Sequence, residues 1–113
     1  MARRVVWTEA ASFDLEEAAG YIARDSRYYA AAFVREVRAA ARSLRVSSER
    51  GRVVPELGQP DIRELLVRSY RLVYNVAPKQ IYVLALIHGA RDFTKAWGEQ
   101  IHESPPAPKE PAT

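Results

Sequence analysis

Ile62–His88 reads IRELLVRSYRLVYNVAPKQIYVLALIH and decides the fold. Three β-prone runs, Ile62 to Val67, Tyr70 to Val76 and Ile81 to His88, are separated by Arg68-Ser69 and by Ala77-Pro78-Lys79. Connections this short are hairpin loops, so the runs should form an antiparallel meander. In the last run Ile81, Val83, Ala85 and Ile87 alternate with Tyr82, Leu84 and Leu86, so both faces are apolar. A strand of that kind is central and covered on each side.

Immediately upstream, Val53-Val54 adds a short β run that ends at Pro55, and the loop Pro55 to Pro60 is punctuated by Gly58. Before Gly51 the period is helical. Leu15, Ala18, Ala19 and Ile22 form one apolar stripe, while Phe33, Val37, Ala40, Ala41 and Leu44 form another. Asp25-Ser26 separates them, with Ser26 able to cap the second helix. The two stripes predict an antiparallel helical hairpin whose many alanines allow close approach. Val5-Val6-Trp7 is an N-terminal strand, and Thr8 with Glu9 is a helix start.

The hairpin supplies one cover for the sheet; the C-terminal segment or a partner chain must supply the other. Phe93, Trp97 and Ile101 follow at i, i+4, i+8 and mark a last short helix. Four prolines (Pro105, Pro106, Pro108, Pro111) make residues 104–113 a disordered tail by expectation, leaving one domain over residues 1–103. The element order is β-α-α-β-β-β-β-α. This is an α+β domain with a two-helix hairpin packed on an antiparallel β-sheet.

The chain has 113 residues, 48% of them hydrophobic, enough for one modest core. Its net charge of +3 rests on fourteen arginines against three lysines. Arginine forks suit carboxylate and phosphate partners, which favours contact with protein or nucleic acid. Without cysteine there is no disulfide or thiolate chemistry, and two isolated histidines, His88 and His102, make no metal site. The N-terminus turns polar too early for a signal peptide, and the apolar run Ile81 to Ile87 is far below a membrane span. These features lead to the expectation of a cytoplasmic protein without cofactor or metal.

Five segments then fall in a familiar order. They are Ala11-x-x-Asp14-Leu15-x-x-Ala18-x-x-Tyr21-Ile22, Gly51-Arg52 with Pro55-Glu56, Ile62-Arg63-Glu64-Leu65, Tyr70-Arg71-Leu72-Val73-Tyr74, and His88-x-x-Arg91-Asp92. Together they resemble the RelE/ParE toxin superfamily, in its ParE branch, from about Val5 to Phe93. The resemblance implies a growth-inhibiting toxin of a type II toxin–antitoxin system, of the kind that stabilises plasmids. It implies neutralisation by a cognate ParD-like antitoxin in a hetero-oligomer, DNA gyrase as the target, and operator DNA reached only through the antitoxin. RelE-like members instead cleave mRNA on the ribosome, and the fold does not choose between the two.

RelE-like catalysis uses lysines and arginines on the sheet with a late tyrosine, yet no lysine precedes Lys79 and no tyrosine follows Tyr82. A variant set of Glu, Arg and His could be imitated by Glu56 or Glu64 with Arg71 and His88, although Gly89 stands where an aromatic residue would be. The catalytic expectation is therefore none, with Arg71 and His88 as the alternative pair. Arg63 and Arg71 flank the Arg68-Ser69 loop and are expected to converge on one face, as a cationic patch for target or antitoxin or as internal ion pairs with Glu64. Arg91 is expected to pair with Asp92. On the second helix Arg35, Arg38, Arg42 and Arg45 lie away from Phe33 and Val37, as a partner surface or a solvated face. Tyr70, Tyr74 and Tyr82 are read as packing residues.

Overall fold

Thr8 begins the tertiary structure, because its hydroxyl serves a helix and a strand together. Its Oγ1 accepts from Ala11 N–H at 3.1 Å and caps α1 (Glu9–Ala23), and it donates to the Val83 carbonyl at 2.9 Å. Ser26 caps α2 (Arg27–Ser43) by accepting from Tyr29 N–H at 3.1 Å. The computed structural model describes residues 2–100, so the tail expected over 104–113, Ile101 and His102 lie outside the described residues.

The strands are β1 (Arg4–Trp7), β2 (Arg52–Val53), β3 (Ile62–Val67), β4 (Tyr70–Val76) and β5 (Gln80–His88), and α3 (Phe93–Gln100) closes the order. They form one sheet in the order β1-β5-β4-β3-β2. β2 to β5 are antiparallel neighbours as expected, but β1 runs parallel to β5, which makes the sheet mixed. The helical hairpin carries the chain from one edge of the sheet to the other. Three antiparallel reversals, β2 to β3, β3 to β4 and β4 to β5, then return the chain to the direction of β1.

The alternation read along β5 is broken once. Tyr74 pairs with Val83 but Val73 pairs with Ala85, so Leu84 is a bulged extra residue. The bulge sits where β1 stops: Trp7 is opposite Val83, and beyond it α1 takes over through Thr8 and through Asp14 Oδ2, which accepts from Leu86 N–H at 2.9 Å. Ile81, Val83, Ala85 and Ile87 therefore do not share a face. Val83 and Leu86 join Leu72, Val67, Phe33, Val37 and Leu15 under the helices, whereas Ala85 and Ile87 join Val73, Ile62 and Val54 on the other side. There Phe93, Ala96 and Trp97 of α3 supply the second cover.

Behind α2, Tyr74 is fully buried with Leu44 and Ile81. Its hydroxyl accepts from Gly51 N–H and donates to the Ser48 carbonyl, both at 2.9 Å. A Cβ at Gly51 would lie 2.4 Å from the Glu64 carbonyl oxygen and 2.7 Å from the Tyr74 hydroxyl. Gly51→Ala must push one strand away, and overpacking of this kind costs about 1–3 kcal/mol. Tyr74→Phe leaves the buried Gly51 N–H unpaired, at about 1–3 kcal/mol. Both variants should lower the urea midpoint at unchanged slope, and a wild-type midpoint for either would refute this account of the turn.

Candidate functional site

The face covered by α3 is apolar except at its centre, where Arg71 enters from β4. Its Nε donates to Glu64 Oε1 at 2.6 Å, and its two terminal nitrogens donate to Glu56 at 2.6 and 3.0 Å. Glu64 has no side-chain exposure and also accepts from Arg52 Nε at 2.7 Å. The guanidinium carbon of Arg71 lies 4.3 Å from the centre of the Phe93 ring. Every nitrogen of Arg71 is thus engaged, and two carboxylates hold it firmly protonated, the Glu56 hydrogen bonds being the larger influence. The same bonds hold the Glu56 carboxyl below its ordinary range.

Arg63 does not join this cluster. It pairs across the ladder with Tyr74, whereas Arg71 pairs with Leu66, and the alternation along the hairpin puts the two arginines on opposite faces. Arg63 instead donates to the Gly51 carbonyl at 2.9 Å and braces the turn beneath Tyr74. The expected convergence of Arg63 and Arg71 is corrected accordingly, and the internal ion pair with Glu64 is the arrangement found for Arg71.

Arg71 and His88 are separated in the same way. Arg71 lies opposite Ile87, while His88 lies opposite Tyr70 and meets its ring edge to face at 4.9 Å under the helical hairpin. The bulge at Leu84 makes this separation. Extending the register of Val76–Ile81 without it would put Arg71 opposite Leu86 and bring His88 to Arg71's face. His88 Nδ1 accepts from Ala90 N–H at 3.0 Å.

Arg91 pairs with Glu99 at 3.6 Å, not with Asp92 as expected. Asp92 has another task at the start of α3, where its Oδ1 accepts from Lys95 N–H at 3.2 Å. Arg35, Arg38 and Arg42 are exposed along α2, and Arg45 is exposed just past its end. Tyr74 and Tyr82 are buried and Tyr70 packs against Phe33, in keeping with packing roles.

Sequence reasoning missed Asp14 as a structural centre. Its Oδ2 accepts from Leu86 N–H and from Gln100 Nε2 at 2.7 Å, tying α1, β5 and α3 together. Burial pushes its carboxyl above the ordinary value despite those bonds. It lines an open cleft of about 530 Å³ between α1 and α3, together with Phe13, Leu86, Arg91 and Glu99. A second groove, of about 310 Å³, runs between Ser12, Glu16 and Ala19 on α1 and Val34 and Arg38 on α2, floored by Trp7 and Leu15. Among the described residues no cluster of His, Cys, Asp or Glu could hold a metal ion, and no helix is long and apolar enough to cross a membrane.

Residues 5–93 match the family model described as the ParE toxin of the type II toxin–antitoxin system parDE. The chain belongs to the ParE toxin family. Among solved structures, the ParE-family chain is similar in fold to a chain of the chromosomal ParDE toxin–antitoxin system from P. aeruginosa. The TM-score is 0.64 at 20% identity, over 77% of this chain and 96% of that one. No curated protein matches it. The matched span includes every residue of the Arg71 cluster, and it ends at Phe93, the ring on which Arg71 rests.

Arg71→Ala should destabilise the ParE-family domain by about 1.5–3 kcal/mol, because it removes the charge-assisted hydrogen bonds to Glu56 and to the buried Glu64 and leaves Glu64 paired with Arg52. Chemical denaturation tests this, and a loss below about 1 kcal/mol would mean the cluster is dispensable. The acid limb of the stability profile follows from Glu56. Its pKa is lowered on folding, so its contribution is fully present above the ordinary glutamate value of about 4.3 and is lost as pH falls through the lowered value. Asp14, with a raised pKa, has the opposite sign and weakens the fold as pH rises above the ordinary aspartate value of about 3.9. Glu56→Gln should therefore flatten the loss of stability below about pH 4.3, and Asp14→Asn should be at least as stable as the wild type at neutral pH. Melting temperatures across pH 2–8 would show either sign reversed.

Proposed function

We propose that this ParE-family protein is the toxin of a toxin–antitoxin pair, that it acts by binding and inhibiting a macromolecular target, DNA gyrase, and that it has no catalytic centre of its own. The observation that carries this reading is the separation of Arg71 from His88. General acid–base cleavage of RNA needs its proton-transfer group and its phosphate-binding cation within reach of one scissile bond. Here the two candidates stand on opposite faces of the sheet, and Arg71 is already committed to Glu56 and Glu64.

Surface features fit a protein that works through contact. Phe13, Tyr21, Tyr28 and Tyr29 are all more than half exposed, and aromatic side chains of this kind are enriched at interfaces. A cognate ParD-like antitoxin would lie in the groove between α1 and α2, where Trp7, Leu15 and Val34 offer apolar surface to an amphipathic segment. The solved relative is itself described as a ParDE toxin–antitoxin system.

His88→Gln tests the mechanism. The glutamine keeps a polar group of similar size and removes proton transfer, so growth arrest on induction should persist. A ribonuclease relying on His88 would lose on the order of a hundredfold or more in rate. A folded, soluble His88→Gln protein that no longer arrests growth, and no longer cleaves mRNA on ribosomes, would overturn the reading. A gyrase supercoiling assay run beside the mRNA assay identifies the target.

A further inference from the structure

Tyr28, Ala31, Arg35, Arg38, Arg42 and Arg45 follow one another at steps of three and four, so they form a single stripe along α2. All six are exposed, Tyr28 by 73%. Arg45 continues the stripe past the end of the helix, in the turn closed by its N–H to the Arg42 carbonyl. From Arg35 to Arg45 the four guanidinium groups spread over about 15 Å of helix axis. None of them has a carboxylate partner: among the described residues the arginines in ion pairs are Arg52, Arg68, Arg71 and Arg91. Glu36, the one acid on α2, is turned away to grip Arg68 with both oxygens.

Such a ladder disfavours its own helix, because like charges three and four residues apart repel. The helix dipole offsets this only near the C-terminal end, for Arg42. Arg35 and Arg38 sit mid-helix with no such compensation. We propose that the outward arginine ladder of α2 is a binding face for the phosphate backbone of a nucleic acid, which this chain contacts directly and without reading base sequence.

The composition of the stripe selects that partner over an acidic peptide. Between Tyr28 and Val46 it carries nothing apolar larger than alanine, so a peptide helix laid along it would find no apolar anchor on the stripe itself. A phosphate backbone needs none, since its affinity comes from cations that replace condensed counterions. Guanidinium forks hydrogen-bond phosphate oxygens bidentately, and the small alanines let a backbone come close. Tyr28, at the head of the ladder, presents a ring on which a base or sugar can pack.

The test is fluorescence anisotropy with the full chain and two labelled probes of arbitrary sequence, a DNA duplex and a single strand of equal length, titrated over a range of salt. Four phosphate contacts predict a slope of log K on log salt of about −3 to −4 for the duplex, and somewhat shallower for the single strand. Arg35→Gln and Arg42→Gln should each reduce the slope by about one, equally on unrelated sequences. The fourfold glutamine variant should lose roughly tenfold or more in affinity at low salt while its melting temperature is no lower than that of the wild type. The tighter of the two probes identifies which form of nucleic acid the ladder fits. Three results would overturn the proposal: no binding of either probe at about 50 mM salt, binding whose slope ignores the substitutions, or a polyglutamate peptide that binds more tightly than both probes.

Discussion

A buried guanidinium held between two carboxylates and a ring organises one whole side of this sheet. Arg71 comes from β4, Glu64 from β3, Glu56 from the loop after β2, and Phe93 from the start of α3, so four separate segments meet at one charge. Taking those charges from water is costly, and the cost is recovered only when every lone pair and donor is matched in good geometry. An apolar residue in place of Arg71 would tolerate small slips of α3 or of the loop. A forked cation with three engaged nitrogens does not, and this is how a polar centre in an apolar face gains conformational specificity.

The opposite face is built on different physics. Ala11, Ala18 and Ala41 are buried between the helices and the sheet, so the hairpin lies close on Leu72, Val83 and Leu86. Packing of this sort is dense but unspecific in direction. Direction comes from Thr8 and Asp14, which hydrogen-bond to the backbone of β5 at Val83 and Leu86, on either side of the bulge. The edge of β5 that β1 leaves uncovered is thereby satisfied by side chains of α1.

These two arrangements engage several of the polar residues of the sheet and of α1 in the fold itself. Arg71, Glu64, Glu56 and Asp14 all work inside the fold, and Arg63 holds the Gly51 turn. The surface exposes Phe13, Tyr21, Tyr28 and Tyr29 around α1 and the start of α2, the arginines along α2, and the acids Glu9, Glu16 and Glu17 on α1. A domain that exposes rings and guanidinium groups on its helices is suited to contact with larger partners.

Local chemistry made most of the elements legible in the sequence alone. Thr8 and Ser26 announce their helices because a side-chain oxygen satisfies a free N–H wherever the rest of the chain goes, and Arg68-Ser69 is a hairpin loop because two residues allow little else. Even the separation of Arg63 from Arg71 was there to be read: Arg71 falls opposite Leu66, an odd number of residues from Arg63, so they cannot share a face. The parallel pairing of β1 with β5 was not legible, since it depends on where a long helical connection returns the chain. Nor was the bulge at Leu84. It arises where β1 ends and α1 supplies the next partners of β5, a meeting of residues about 75 positions apart in sequence. That single extra residue shifts Ala85 to His88 by one place against β4 and so parts His88 from Arg71. Alternation is a local rule, but the point at which it breaks is set by what lies alongside the strand.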